Sequence, residues 1–76
     1  METLLKILQD IKPGVDFSTQ TGLIDNGILT SFEIIRLTMD ISNEYDIEIS
    51  PLYIVPENFN SAQAIMDLIK KIQDEE

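Results

Sequence analysis

Cysteine and histidine are both absent from the 76-residue chain. Without cysteine there is neither a disulfide framework nor a thiolate metal site. Without histidine the chain lacks the usual general base, the usual activator of a nucleophile and the commonest transition-metal ligand. Neither a Ser/His/Asp nor a Cys/His arrangement can be assembled, so the expectation is that the protein is not an enzyme. Positive charge is scarce: five Lys and Arg face fourteen Asp and Glu, a net charge of -9. Such a surface repels nucleic-acid phosphates and anionic lipid, and it suits docking on basic patches of other proteins. Long apolar runs are missing too, and Met1-Glu2-Thr3-Leu4 has no basic n-region. The chain is therefore expected to be cytoplasmic, monomeric and without a membrane span. Asp25-Asn26-Gly27 lacks the alternating oxygen ligands and distal Glu of a calcium loop, so no metal site is assigned. Clustered carboxylates can still hold divalent cations weakly, which would ease self-repulsion.

What is present is a small apolar core. Hydrophobic residues make up 43% of the chain, too many for a disordered tail, although a core of this size leaves a thin stability margin. Leu4, Leu8 and Ile11 recur at helical spacing, with Leu5 and Ile7 widening the stripe, until Lys12-Pro13-Gly14 ends the helix. Residues 13–30 show no clear period. Phe17, Leu23, Ile24, Ile28 and Leu29 should pin this long connection to the core. Asp46-Ile47-Glu48-Ile49 reads as a strand-like linker with no strand to pair with. Leu52, Ile54, Val55 and Phe59 are placed at the core edge, and Pro56 opens one short helical turn. Asn60 or Ser61 caps a final helix whose Ile65, Leu68, Ile69 and Ile72 share one side. Lys70 and Lys71 are assigned to its C-terminal dipole, and Asp74-Glu75-Glu76 is expected to fray.

The stretch around which the rest is organised is Asp25-Asn26-Gly27-Ile28-Leu29-Thr30-Ser31-Phe32-Glu33. A polar turn leads into Thr30-x-x-Glu33, a capping box that opens a helix over 31–45. Ser31 falls in the first helical turn, next to backbone N–H groups without helical partners. A phosphate ester there would meet those donors and the positive end of the helix dipole. Ile34, Leu37, Ile41 and Tyr45 follow core spacing, whereas Phe32, Ile35 and Met39 lie on another side; helical apolar spacing of this kind usually marks a broad buried stripe, and the sharper alternative is an exposed contact patch beside Ser31.

Leu23-Ile24-Asp25-Asn26-Gly27-Ile28-Leu29-Thr30-Ser31-Phe32-Glu33-Ile34-Ile35 resembles the prosthetic-group motif of acyl carrier and peptidyl carrier proteins. The register continues without a gap through Leu37, Met39, Ile41, Glu44-Tyr45-Asp46 and Ile47-Glu48-Ile49. Pro56-Glu57-Asn58-Phe59-Asn60-Ser61 and the last helix resemble the family's ending. The resemblance implies an all-α bundle of three main helices plus one short helix, with a long loop between the first two. One carrier domain would span 1–76, with helices near 3–12, 31–45, 56–59 and 61–73.

The resemblance also implies a function. Ser31 would carry 4'-phosphopantetheine, donated from coenzyme A by a separate, magnesium-using phosphopantetheinyl transferase. Acyl, aminoacyl or polyketide intermediates would ride on the arm as thioesters, delivered to acyl-activating or acyl-transferring enzymes. A chain without cysteine would thus import its thiol. Phe32, Glu33, Ile35, Arg36, Met39 and Asp40 would be partner contacts. Ile34, Leu37, Ile41, Tyr45 and Ile54 would line the apolar interior that shelters an acyl chain.

Two positions depart from the family pattern. Thr30 replaces the Asp that usually precedes the serine; it can cap the helix but supplies no carboxylate to the transferase. Arg36 places a positive group on a helix face that is usually acidic or neutral, which would select against common partners. Both changes point to a specialised fatty-acid, polyketide or related pathway. The competing reading is an unmodified, carrier-like acidic interaction module.

Overall fold

The computed structural model describes residues 1–75 and is all-helical: α1 Glu2–Ile11, α2 Ser31–Tyr45, α3 Pro56–Phe59 and α4 Ala62–Glu75, with a 3-10 turn at Pro51–Tyr53. It is the expected bundle of three main helices and one short one, with no strand among the described residues. Apolar spacing decides which face of each helix turns inward. α1 buries Leu4, Leu8 and Ile11. α2 buries Leu37 and Ile41, and α4 buries Ile65, Leu68, Ile69 and Ile72 together with Ala62 and Met66. α1 packs against α2 and α4, and α3 against α4. The Cα radius of gyration of 11.2 Å matches the roughly 11 Å expected of a close-packed chain of this length.

The helix ends follow from local chemistry. α1 stops at Lys12, the residue before Pro13, where the backbone leaves helical geometry. α2 ends at Asp46, which takes a left-handed conformation at φ 53° so that its N–H can close on the Ser42 carbonyl. Ser61 rather than Asn60 caps α4, its Oγ accepting the Ala64 N–H at 3.0 Å.

The long connection between α1 and α2 is held down by its own side chains. Phe17, Leu23 and Leu29 are buried, and Val15, Ile24 and Ile28 pack against the same core. Its second half is a tight coil. Asn26 N–H donates to Gly22 O at 2.7 Å, Gly27 N–H to Ile24 O at 3.0 Å and Leu29 N–H to Leu23 O at 2.9 Å. Gly27 sits at φ 70°, where a side chain would be strained, and a Cβ at Gly22 would collide with the Asn26 side-chain amide.

Two local expectations are corrected. Leu52 and Ile54 do not seal the core edge: Leu52 is 87% exposed and Ile54 38%. The 3-10 turn is the reason. With three residues per turn only one of three successive side chains can face inward, and Tyr53 takes that place against the core. Asp46–Ile49 is the unpaired linker expected; it crosses as irregular chain with Ile47 buried and Ile49 packed on the core. At the far end, Asp74 and Glu75 are helical, so Lys70 and Lys71 lie outside the last turn of α4. Lys71 Nζ instead stands 5.3 Å from the centre of the Tyr53 ring, and the Tyr53 hydroxyl donates to Glu75 Oε2 at 3.3 Å. Glu76, expected to fray, lies outside the described residues.

Candidate functional site

The start of α2 is built by a reciprocal cap. Thr30 Oγ1 accepts the Glu33 N–H at 3.3 Å, and Glu33 Oε1 accepts the Thr30 N–H at 2.9 Å. The other Glu33 oxygen faces Lys12 Nζ at 3.6 Å, which ties the end of α1 to the start of α2. The Glu33 carboxyl is held below its ordinary range, first by the Thr30 N–H bond and further by the Thr30 hydroxyl and the Lys12 charge, against a partial opposing effect of burial. Thr30 therefore does the structural work of a cap through its hydroxyl.

Ser31 is the first residue of α2 and is exposed. Thr30 takes two first-turn donors: its hydroxyl accepts from Glu33 N–H and its carbonyl from Ile34 N–H. The Ser31 and Phe32 N–H groups have no partner among the described residues. The hydroxyl thus stands beside free donors at the positive end of a 15-residue helix.

From Ser31 outward, α2 presents two faces. Phe32 is 85% exposed, Ile35 55% and Met39 61%; their spacing places them on one side of the helix. Arg36 and Asp40 flank them as an i,i+4 ion pair at 3.7 Å, both in water. Glu33 lies lower, half-buried and engaged by the cap and Lys12. On the inward face, Leu37 and Ile41 are fully buried, with Ile34 and Tyr45 packed against the same cluster. Burial and the neighbouring Glu44 charge push the Tyr45 phenol up. Ile54 is not brought to this cluster; it stands exposed beyond the 3-10 turn. Surface depressions of about 380, 250 and 300 Å³ open elsewhere, and none is lined by Ile34, Leu37, Ile41, Tyr45 or Ile54.

Sequence reading missed one residue near the site. Asn60, the C-cap of α3, turns its side chain onto the loop that leads to Ser31. Its Oδ1 accepts the Ile24 and Asp25 N–H groups at 3.0 and 3.1 Å, and its Nδ2 donates to Asp25 Oδ2 at 3.1 Å. An Asn-Ser pair at a helix junction signals capping, and nothing in local spacing points to a partner 35 residues away.

No protein-family model matches the chain. The curated protein "Aminoacyl carrier protein 1" of Bradyrhizobium diazoefficiens is 32% identical over 63 residues, covering 83% of this chain and 69% of that protein. The chain belongs to the carrier-protein family. It is accordingly a carrier and not an enzyme, which agrees with a residue inventory that lacks both His and Cys. The helical bundle is the carrier architecture, and no helix among the described residues is long and apolar enough to cross a membrane. Biosynthetic enzymes are the partners that membership implies. Among the described residues no group of three or more Asp and Glu gathers as a metal site.

Proposed function

We propose that this carrier holds its cargo through 4'-phosphopantetheine joined to the Ser31 Oγ. The observation that carries the reading is the exposed Ser31 hydroxyl at the first turn of α2, next to two N–H groups without partners among the described residues. A phosphodiester suits this place: its anionic oxygens would meet the Ser31 and Phe32 N–H groups and the helix dipole. When bound, the group supplies the thiol that the cysteine-free chain lacks, and cargo is held on it as a thioester. On attachment the Ser31 Oγ would bond to the phosphorus that bears the pantetheine, the pyrophosphate bond of coenzyme A would break to release adenosine 3',5'-bisphosphate, and the hydroxyl proton would pass to the transferase.

The cargo is an acyl or aminoacyl group of a specialised fatty-acid, polyketide or related pathway. The aminoacyl case is favoured by the name of the 32% identical relative. Phe32, Ile35 and Met39 form the apolar centre of the partner surface, with Arg36 and Asp40 at its rim and Glu33 contributing mainly through the helix start. Of the residues expected to shelter an acyl chain, Ile34, Leu37, Ile41 and Tyr45 remain in the proposal. A long chain would enter by parting their packing, so short or polar cargo suits this interior better.

A second reading is an unmodified acidic interaction module. It is favoured by Thr30, whose side chain is spent on the cap and leaves no carboxylate immediately before the serine. The two are separated by incubating the chain with coenzyme A, magnesium and a broad-specificity phosphopantetheinyl transferase, then reading the intact mass. A gain of one phosphopantetheine in the wild type and none in Ser31→Ala is the expected result. No gain with any of several transferases favours the unmodified module.

A further inference from the structure

We infer that Asn60 is a positioning residue for Ser31: its side chain latches the loop that leads into α2 and so fixes how the serine hydroxyl is presented. The inference rests on Ser31 being the attachment point. Asn60 ends α3 and directly precedes Ser61, the cap of α4, so its backbone is anchored by two helices. From that anchor it makes four hydrogen bonds to Leu23, Ile24 and Asp25: three through the side-chain amide, and one from the Leu23 N–H to its carbonyl at 2.9 Å.

The connection continues to the serine. The carbonyl of Leu23 accepts the Leu29 N–H at 2.9 Å, and Leu29 is followed directly by Thr30, the cap, and Ser31. Leu23 and Leu29 are both buried, at 0% and 4% exposure. The segment before Ser31 is therefore held at Leu23 from both sides. An amide suits the latch because one atom accepts two N–H groups while the other donates to a carboxylate. Attachment needs the hydroxyl held in a narrow range of orientations, and small displacements of a reacting group lower rates steeply.

The test exchanges the two side chains. Asn60→Asp sets a second carboxylate against Asp25, whereas the double variant Asp25→Asn/Asn60→Asp re-forms the pair with donor and acceptor exchanged. Asn60→Ser, which removes the reach without adding charge, is the second single variant. Two readouts are taken: kcat/KM for loading by a phosphopantetheinyl transferase, and amide hydrogen exchange at Ile24 and Asp25 compared with core amides such as Leu8 and Ile69. Both single variants should lower kcat/KM roughly tenfold and speed exchange at Ile24 and Asp25 while the core amides stay protected. The double variant should recover loading. Single variants that load like wild type, a loss of loading that merely follows lost core protection, or a double variant that stays slow would each overturn the latch. A wild-type chain that no transferase loads sinks the attachment reading and the latch with it; a loaded wild type with indifferent variants sinks the latch alone.

Discussion

Replacing Glu33 by Gln removes one charge and little else, which makes it a clean probe of how α2 is started. Gln keeps an acceptor for the Thr30 N–H, now 2.9 Å from Glu33 Oε1, and it is an accepted partner in a capping box. What disappears is the carboxylate charge, its attraction for Lys12 at 3.6 Å and its favourable place in the first turn of the helix. The Lys12 contact is partly in water and contributes at most about 1 kcal/mol. The dipole contributes about 0.3–1 kcal/mol, and a charged acceptor outdoes a neutral one by about 1 kcal/mol. These contributions overlap, so the expected loss at neutral pH is about 1 kcal/mol in total, or about 4–8 °C in Tm for a domain of this size. The loss must depend on pH. Glu33 titrates lower in the folded chain than its ordinary value of 4.5, so its contribution is fully present above that value and disappears as pH falls through the folded pKa. Thermal melts followed by circular dichroism from pH 7 to pH 3 should show the wild type ahead of Glu33→Gln at the upper end and the two curves drawing together as the pH falls below 4.5. A difference that stays constant across the range would refute the reasoning, because it would mean that the charge plays no part in starting α2.

Other consequences can be checked with the same material. With a net charge of -9, Tm should rise with added sodium chloride and more strongly with millimolar magnesium, and a Tm indifferent to both would reject self-repulsion as a destabilising force. Leu37→Ala should cost about 2–5 kcal/mol, because Leu37 is fully buried, while Leu52→Ala should stay within about 0.5 kcal/mol, because Leu52 is 87% exposed; equal losses by urea titration would contradict the fold at the 3-10 turn. Thr30→Asp keeps a helix cap and restores a carboxylate before the serine, so its loading by a transferase should be faster than wild type with Tm nearly unchanged. An unchanged loading rate would remove Thr30 as the cause of any slow modification.

The parts legible in the sequence were those whose determinants are local. Thr30 and Glu33 stand at capping-box spacing, and the box forms. Leu4, Leu8 and Ile11 in α1, and Ile65, Leu68, Ile69 and Ile72 in α4, follow helical spacing and are buried. The second apolar face of α2 at Phe32, Ile35 and Met39 was readable from spacing, but its exposure was not, because a broad buried stripe has the same pattern. What escaped was decided by turn geometry or by contacts distant in sequence. Between Ser50 and Val55 every other clue is apolar, and only the turn geometry selects Tyr53 over Leu52 and Ile54. The last turn of α4 is acidic, yet it stays helical while Glu75 accepts from Tyr53, 22 residues earlier. Asn60 is the clearest case: a polar side chain at a helix junction bonds the backbone of a loop far upstream, and no periodicity encodes that.

The central claim is that Ser31 carries the arm in the working protein. Its most direct test is to purify the chain from the cells that make it, digest it, and fragment the peptide that spans Leu29 to Arg36 in the mass spectrometer. The account predicts a phosphopantetheine mass localised to Ser31, with Thr30 unmodified. A peptide that is wholly unmodified, or an arm localised to any other residue, would contradict it.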